Sequence, residues 1–296
     1  MSERFRGILP VLQTPLDANG DLDEASLRRE VAFNIEIGAH GLVYPVLGGE
    51  FQFLSDRERQ RLVEVVVGET ARQIPVVVGV AGTSAAVAVE HARHAAQVGA
   101  DAVIALPPYL GRGGDDETLA YYRAIAEAAE RPVFVQNSNP GLSPAFLARA
   151  LREIEHVRYV KEEASPSAHN ISAVLNAVGE HCWGVFGGAL GKWMLSEMQR
   201  GACGFMPAAE VTDVYVQIWD AFQAGDEARA RAIFNRLLPL INLEMMLGMR
   251  ICKEVLVQRG VIQTATMRTP GTIQPDEDDY RELNAILEDL RPLFRR

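Results

Sequence analysis

Lysine is nearly missing from this 296-residue chain. Of 29 basic side chains, only Lys161, Lys192 and Lys253 are lysines. Cysteine is equally sparse: Cys182, Cys203 and Cys252 cannot build a paired framework and show no metal-ligand spacing. The six histidines are scattered, and His91 and His94 read as a solvated pair on one helix face. No metal site is expected. Positive charge is outweighed, with 39 acidic against 29 basic residues and a net charge of −10. With no basic block to neutralise phosphates, nucleic acid is excluded as a partner. No apolar run approaches the roughly 18 residues that span a bilayer, so a membrane partner is excluded too. The start of the chain has no apolar leader segment, which makes the cytoplasm the expected location.

What is present is an ordinary globular balance, 48% hydrophobic and 23% charged, in a length suited to one large α/β barrel or two smaller domains. Short apolar runs rich in β-branched residues fall at 7–11, 41–46, 75–80, 102–106, 132–135, 157–160, 183–186 and 204–206. Helical periodicity occupies 24–37, 56–72, 84–98, 117–130, 143–154, 168–178, 190–200 and 212–223. Continuous apolar strands imply burial on both faces, the condition of parallel strands. Eight strand–helix units in strict alternation predict an α/β fold, a (β/α)8 TIM barrel over residues 1–223. After Gly225 the stretches 226–247, 249–258 and 276–293 read as helices without strands. Residues 224–296 are therefore expected to form a C-terminal three-helix extension packed on the barrel. Cap residues agree with these limits: Asp21 or Asp23 for the first helix, the Ser55/Glu58 pair for the second, and Ser143 before Pro144 for the fifth.

Barrel enzymes place their chemistry at the C-terminal strand ends, which narrows the search. Lys161 ends the sixth apolar run. Burial there disfavours the ammonium and would free an amine for Schiff-base formation. The other reading is a barrel-mouth lysine paired with Glu162 or Glu163 and kept charged. On a two-residue strand period, Glu163 shares the face of Lys161. Lys192, beside Trp193, and Lys253, in the appended helices, are expected to face solvent. Gly48-Gly49 after the second strand suits a loop whose N–H groups converge on an anion, and equally a plain turn. The stretch Gly187-Gly188-Ala189-Leu190-Gly191-Lys192 lacks the spacing of a phosphate loop, because Phe186 and Trp193 stand where glycine and a hydroxyl residue are needed.

Together, the eight units, the three final helices, Gly48-Gly49-Glu50 after the second strand, Pro107-Pro108-Tyr109 after the fourth and Val160-Lys161-Glu162 at the sixth resemble the dihydrodipicolinate synthase / N-acetylneuraminate lyase family. These are Schiff-base-forming lyases of pyruvate and other 2-oxo acids. The resemblance implies that Lys161 forms the imine and that Gly48 and Gly49 receive the carboxylate. It also implies a homotetramer arranged as a dimer of dimers. Members that condense pyruvate carry a proton-relaying tyrosine at the end of the fifth strand. Here Gln136 stands in that position, Leu47-Gly48 replaces a threonine pair, and an arginine that usually follows is absent. A glutamine does not titrate near neutrality and cannot replace a phenol as acid or base.

The glutamine, Phe146-Leu147-Ala148-Arg149 with Arg152-Glu153-Ile154-Glu155, and Leu238-Pro239-Leu240-Ile241-Asn242 are similar to the branch of 2-keto-3-deoxy sugar acid dehydratases, notably those of L-arabonate. The expected activity is dehydration of such an acid, with Lys161, Gln136 and Glu163 catalytic and Gly48, Gly49, Gly188 and Met206 binding substrate. No cofactor beyond the covalent imine is expected. Carbon–carbon cleavage or condensation through the same imine is the nearest alternative, and a silent 2-oxo acid sensor is a second.

Overall fold

The computed structural model describes residues 4–111 and 113–296; residues 1–3, part of the start read above for a leader, lie outside it. Among the described residues, strands and helices alternate as β1 (Gly7–Ile8), α1 (Glu24–Glu36), β2 (Leu42–Tyr44), α2 (Asp56–Thr70), β3 (Val76–Gly79), α3 (Ala85–Val98), β4 (Ala102–Ala105) and α4 (Asp115–Ala129). They continue as β5 (Val133–Asn137), α5 (Pro144–Glu153), β6 (Val157–Glu162), α6 (Ser167–Val178), β7 (Gly184–Gly187), α7 (Met194–Gln199), β8 (Gly204–Phe205) and α8 (Thr212–Gln223). Three helices without strands follow: α9 (Glu227–Leu247), α10 (Arg250–Gln258) and α11 (Glu277–Leu290). The strands form one sheet ordered β1-β8-β7-β6-β5-β4-β3-β2. The fold is a (β/α)8 TIM barrel with a C-terminal three-helix extension.

Local chemistry explains where elements start and stop. The first apolar run yields only a two-residue strand, because Pro10 has no N–H to give the ladder; pairing resumes as isolated bridges at Val11. Asp23 caps α1, Ser55 and Glu58 form a reciprocal capping box on α2, and Ser143 caps α5 with Pro144 in its first turn. On α5, Phe146, Leu147, Ala150 and Leu151 are buried, the helical spacing of one apolar face.

The chain divides into two compact units. One comprises residues up to Leu9 together with Pro75–Met206; the other comprises Pro10–Ile74 with Pro207–Arg296. In the first, β4 to β8 and β1 pair in parallel over a core of stacked Phe134 and Tyr159, with ring centroids 4.3 Å apart, edged by Phe5 and Phe186. In the second, Val11 bridges Val43 and Ala208, and Phe33, Ile37, Leu256, Val261 and Ile262 form an apolar cluster.

Two expectations fail here. His91 is buried, so the histidine pair is not a solvated face. Lys253 has no exposed surface at all, because α10 turns it inward to a glutamate.

Candidate active site

Parallel strands β5 and β6 pair Gln136 with Lys161 and Asn137 with Glu162. One step further, Glu163 N–H donates to the Asn137 carbonyl at 2.8 Å. This register, with the two-residue period of a strand, brings Gln136, Ser138, Lys161 and Glu163 to one place. Lys161 is 3% exposed, and its Nζ lies 3.1 Å from Glu163 Oε1. Gln136 Nε2 donates to Glu163 Oε2 at 2.8 Å, and Ser138 Oγ donates to the same oxygen at 2.7 Å.

The loop after β7 completes the ring of donors. Ala189 N–H donates to Glu163 Oε1 at 2.9 Å. Ala189 and Leu190 both adopt left-handed backbone, with φ of 49° and 60°, conformations costly for side-chain-bearing residues and concentrated at functional sites. Gly188 lies against the same carboxylate: a Cβ there would come within 2.5 Å of Glu163 Oε1 and 2.6 Å of its Cγ. The glycine is required by the glutamate's position.

Glu163 therefore has four partners, two on each oxygen. Burial pushes its pKa up, but the Lys161 charge and the hydrogen bonds from Gln136, Ala189 and Ser138 outweigh burial and hold the carboxyl below its ordinary value. Lys161 thus lies in ion-pair distance of Glu163, the geometry of the second of the two readings open from sequence.

Behind these groups lies a second layer. Asn137 Nδ2 donates to both Glu162 oxygens, at 3.0 and 2.8 Å, while its Oδ1 accepts the Leu142 N–H at 2.6 Å. Ala164 N–H donates to Glu162 Oε1 at 2.8 Å. Burial raises Glu162 to about 7 despite these donors. Glu197 is also raised to about 7 by burial; Ser167 donates to one of its oxygens, and the other packs where a Cβ of Gly187 would stand. Met206 is almost completely buried, and its N–H donates to the Gly187 carbonyl at 3.0 Å.

Gly48 and Gly49 belong to the other unit. Gly49 is packed under the Leu12 carbonyl and the Tyr44 ring, and Thr14 Oγ1 donates to its carbonyl at 2.5 Å. Gly48 keeps some exposure. Glu50, in left-handed backbone at φ 55°, accepts from Lys253 Nζ at 2.7 Å and from Arg268 N, Thr269 N and Thr269 Oγ1 at 2.8–2.9 Å. The third residue of the Gly-Gly-Glu motif thus anchors the segment before α11. In the same unit Glu210, Glu244 and Cys252 bring their ligand atoms within 4.8 Å of one another, the one such set among the described residues. Burial raises Glu210 to about 7 and drives Glu244 and Cys252 well above their usual values.

The model of the dihydrodipicolinate synthetase family matches residues 4–290. The chain belongs to this family. It is 33% identical over 301 residues to L-2-keto-3-deoxyarabonate dehydratase of Azospirillum brasilense, covering 99% of this chain and 97% of the relative. It is 32% identical over 294 residues to 4-hydroxy-tetrahydrodipicolinate synthase of Methanothrix thermoacetophila, covering 97% and 98%. Among solved structures, YagE of Escherichia coli K12, a family member crystallised with pyruvate, superposes with a TM-score of 0.90 over 98% of this chain and 99% of that one. At 24% identity that likeness speaks for the fold alone. The chain is thus a lyase of this family, and the relatives named above act on small molecules. No helix among its described residues is long and apolar enough to cross a membrane.

Sequence reasoning had named Lys161, Gln136 and Glu163, which the structure brings together, and Gly188, which makes room for Glu163. It missed Ser138 and the buried Asn137–Glu162 pair. The two-residue period that singled out Glu163 from Lys161 also selects Ser138 from Gln136, so the signal was available.

Proposed function

We propose that this lyase dehydrates a 2-keto-3-deoxy sugar acid through an imine on Lys161. The observation that carries the reading is the Lys161–Glu163 ion pair with Gln136, where pyruvate-condensing relatives carry tyrosine, on the same carboxylate. Glu163 takes the proton from the Lys161 ammonium. The free amine attacks C2, and the carbinolamine loses water to give a protonated imine, which makes the C3 protons acidic. The regenerated Glu163 carboxylate removes one of them. The enamine then expels the C4 hydroxyl, which leaves as water with a proton, and the unsaturated iminium tautomerises and hydrolyses to a dicarbonyl acid. General acid–base help of this kind is typically worth ~10²–10⁴ in rate. The reaction needs no diffusible cofactor, since the iminium is the electron sink. We assign the assembly as a homotetramer; a monomer in light scattering contradicts that assignment.

The test is a product assay over five- and six-carbon 2-keto-3-deoxy acids, with Lys161→Ala as the control. The expected product keeps every carbon of the substrate, and the variant makes none. Pyruvate plus an aldehyde would identify an aldolase instead, the reaction closer to the synthase-named relative.

A further inference from the structure

We infer that Ser138 is a catalytic residue, the hydroxyl that carries the proton between Glu163 and the C4 oxygen of the substrate. The inference rests on the imine reading above and supplies a step left open there. Glu163 collects the C3 proton, yet the water that leaves from C4 needs one.

The partners of the carboxylate decide which group can pass it on. Oε1 holds Lys161 Nζ and Ala189 N–H; Oε2 holds Gln136 Nε2 and Ser138 Oγ. A backbone N–H and a carboxamide N–H donate hydrogen bonds but do not release their protons near neutrality. Lys161 is committed to the imine during elimination. Ser138 is the remaining partner, and a hydroxyl both donates and accepts. It is also less deeply buried than Gln136 and Lys161, which are 1% and 3% exposed. The 2.7 Å separation from Oε2 is within the range of direct transfer.

The step balances without an added reagent. Glu163 takes H⁺ from C3 as the C3–H bond breaks and the electron pair enters the enamine. As the C4–O bond breaks, Ser138 Oγ gives its proton to the departing hydroxyl and receives the proton of the Glu163 carboxyl. Water leaves, Ser138 is again a hydroxyl and Glu163 again a carboxylate. In carbon–carbon cleavage the same relay runs backwards, drawing the proton off the C4 hydroxyl.

The experiment compares two rates in the wild type, Ser138→Ala and Ser138→Thr. One is deuterium exchange at the methyl of pyruvate in D2O, which needs the imine and Glu163 but no C4 oxygen. The other is turnover of the 2-keto-3-deoxy acids. The ratio of turnover to exchange is expected to fall ~10²-fold in Ser138→Ala, with KM little changed, and to recover to within ~10-fold of wild type in Ser138→Thr. A ratio unchanged in Ser138→Ala overturns the inference and assigns Ser138 to holding Glu163 in place. The dehydratase reading fails separately, if wild-type products are pyruvate and an aldehyde; the ratio must then fall in the same way for Ser138 to keep its role. A wild type that exchanges deuterium but turns over no acid overturns both.

Discussion

Two of the three lysines are buried against a glutamate, one in each unit, and the pairs differ in what surrounds the carboxylate. Lys253 Nζ is fully enclosed and gives its hydrogen bonds to Glu50 and to the Thr266 carbonyl, both at 2.7 Å. The other Glu50 oxygen is taken by two backbone N–H groups and the Thr269 hydroxyl. That network is saturated and ties α10 to the segment preceding α11. Lys161 faces Glu163, whose remaining partners include Gln136 and Ser138 at the end of β5. Burial and ion pairing are common to both, so neither marks a reactive lysine. On the proposed mechanism the distinction lies in position at a strand's C-terminal end and in a carboxylate partner that passes protons onward through Ser138.

Substitutions sharpen this contrast. Glu163→Gln should cost the largest factor, ~10²–10⁴ in kcat, because it removes the proton acceptor while keeping most of the shape; steady-state kinetics reads it. Lys253→Met should leave kcat per folded molecule intact but strand Glu50 in the interior, lowering stability by ~3–5 kcal/mol in urea unfolding. Loss of activity with unchanged stability in Lys253→Met would erase the distinction between the two pairs. Gly188→Ala places a methyl against Glu163 and should cost ~1–3 kcal/mol through overpacking, with a fall in kcat that Gly68→Ala, where a Cβ meets nothing, does not share.

A pH slope tests the buried carboxyls as a group. Glu163 and Glu50 are held below the ordinary carboxyl value, so their contribution is present above it and lost as acid protonates them. Burial raises Glu30 to about 8 and Glu162, Glu197 and Glu210 to about 7. The folded state therefore binds more protons than the unfolded chain between pH 4.5 and 8, and stability falls as pH rises through that window. Each such group adds a slope of up to ~1.4 kcal/mol per pH unit. Tm measured from pH 5 to pH 8 should decrease; a flat or rising profile contradicts protonated interior carboxyls.

The barrel was legible because eight apolar runs alternate with eight amphipathic ones, and caps such as Ser55 and Ser143 act through their own three-residue neighbourhoods. That Lys161 and Glu163 share one face was legible because strand parity is local. Lys253 was not: its partner Glu50 lies 203 positions away, and helical periodicity does not report a buried cation paid for by a distant carboxylate. The Glu210, Glu244 and Cys252 group escaped for the same reason, since its members are separated by α8 and most of α9. Gly188 was chosen for its place after β7, but its reason for being glycine emerges only from the Glu163 side chain above it.

The most direct test of the Schiff-base assignment is borohydride trapping with pyruvate, followed by peptide mapping of the adduct. Reduction should fix the 2-oxo acid on Lys161 alone, with Lys192 and Lys253 unmodified. An adduct on either of those lysines, or no adduct at all, would contradict the central claim.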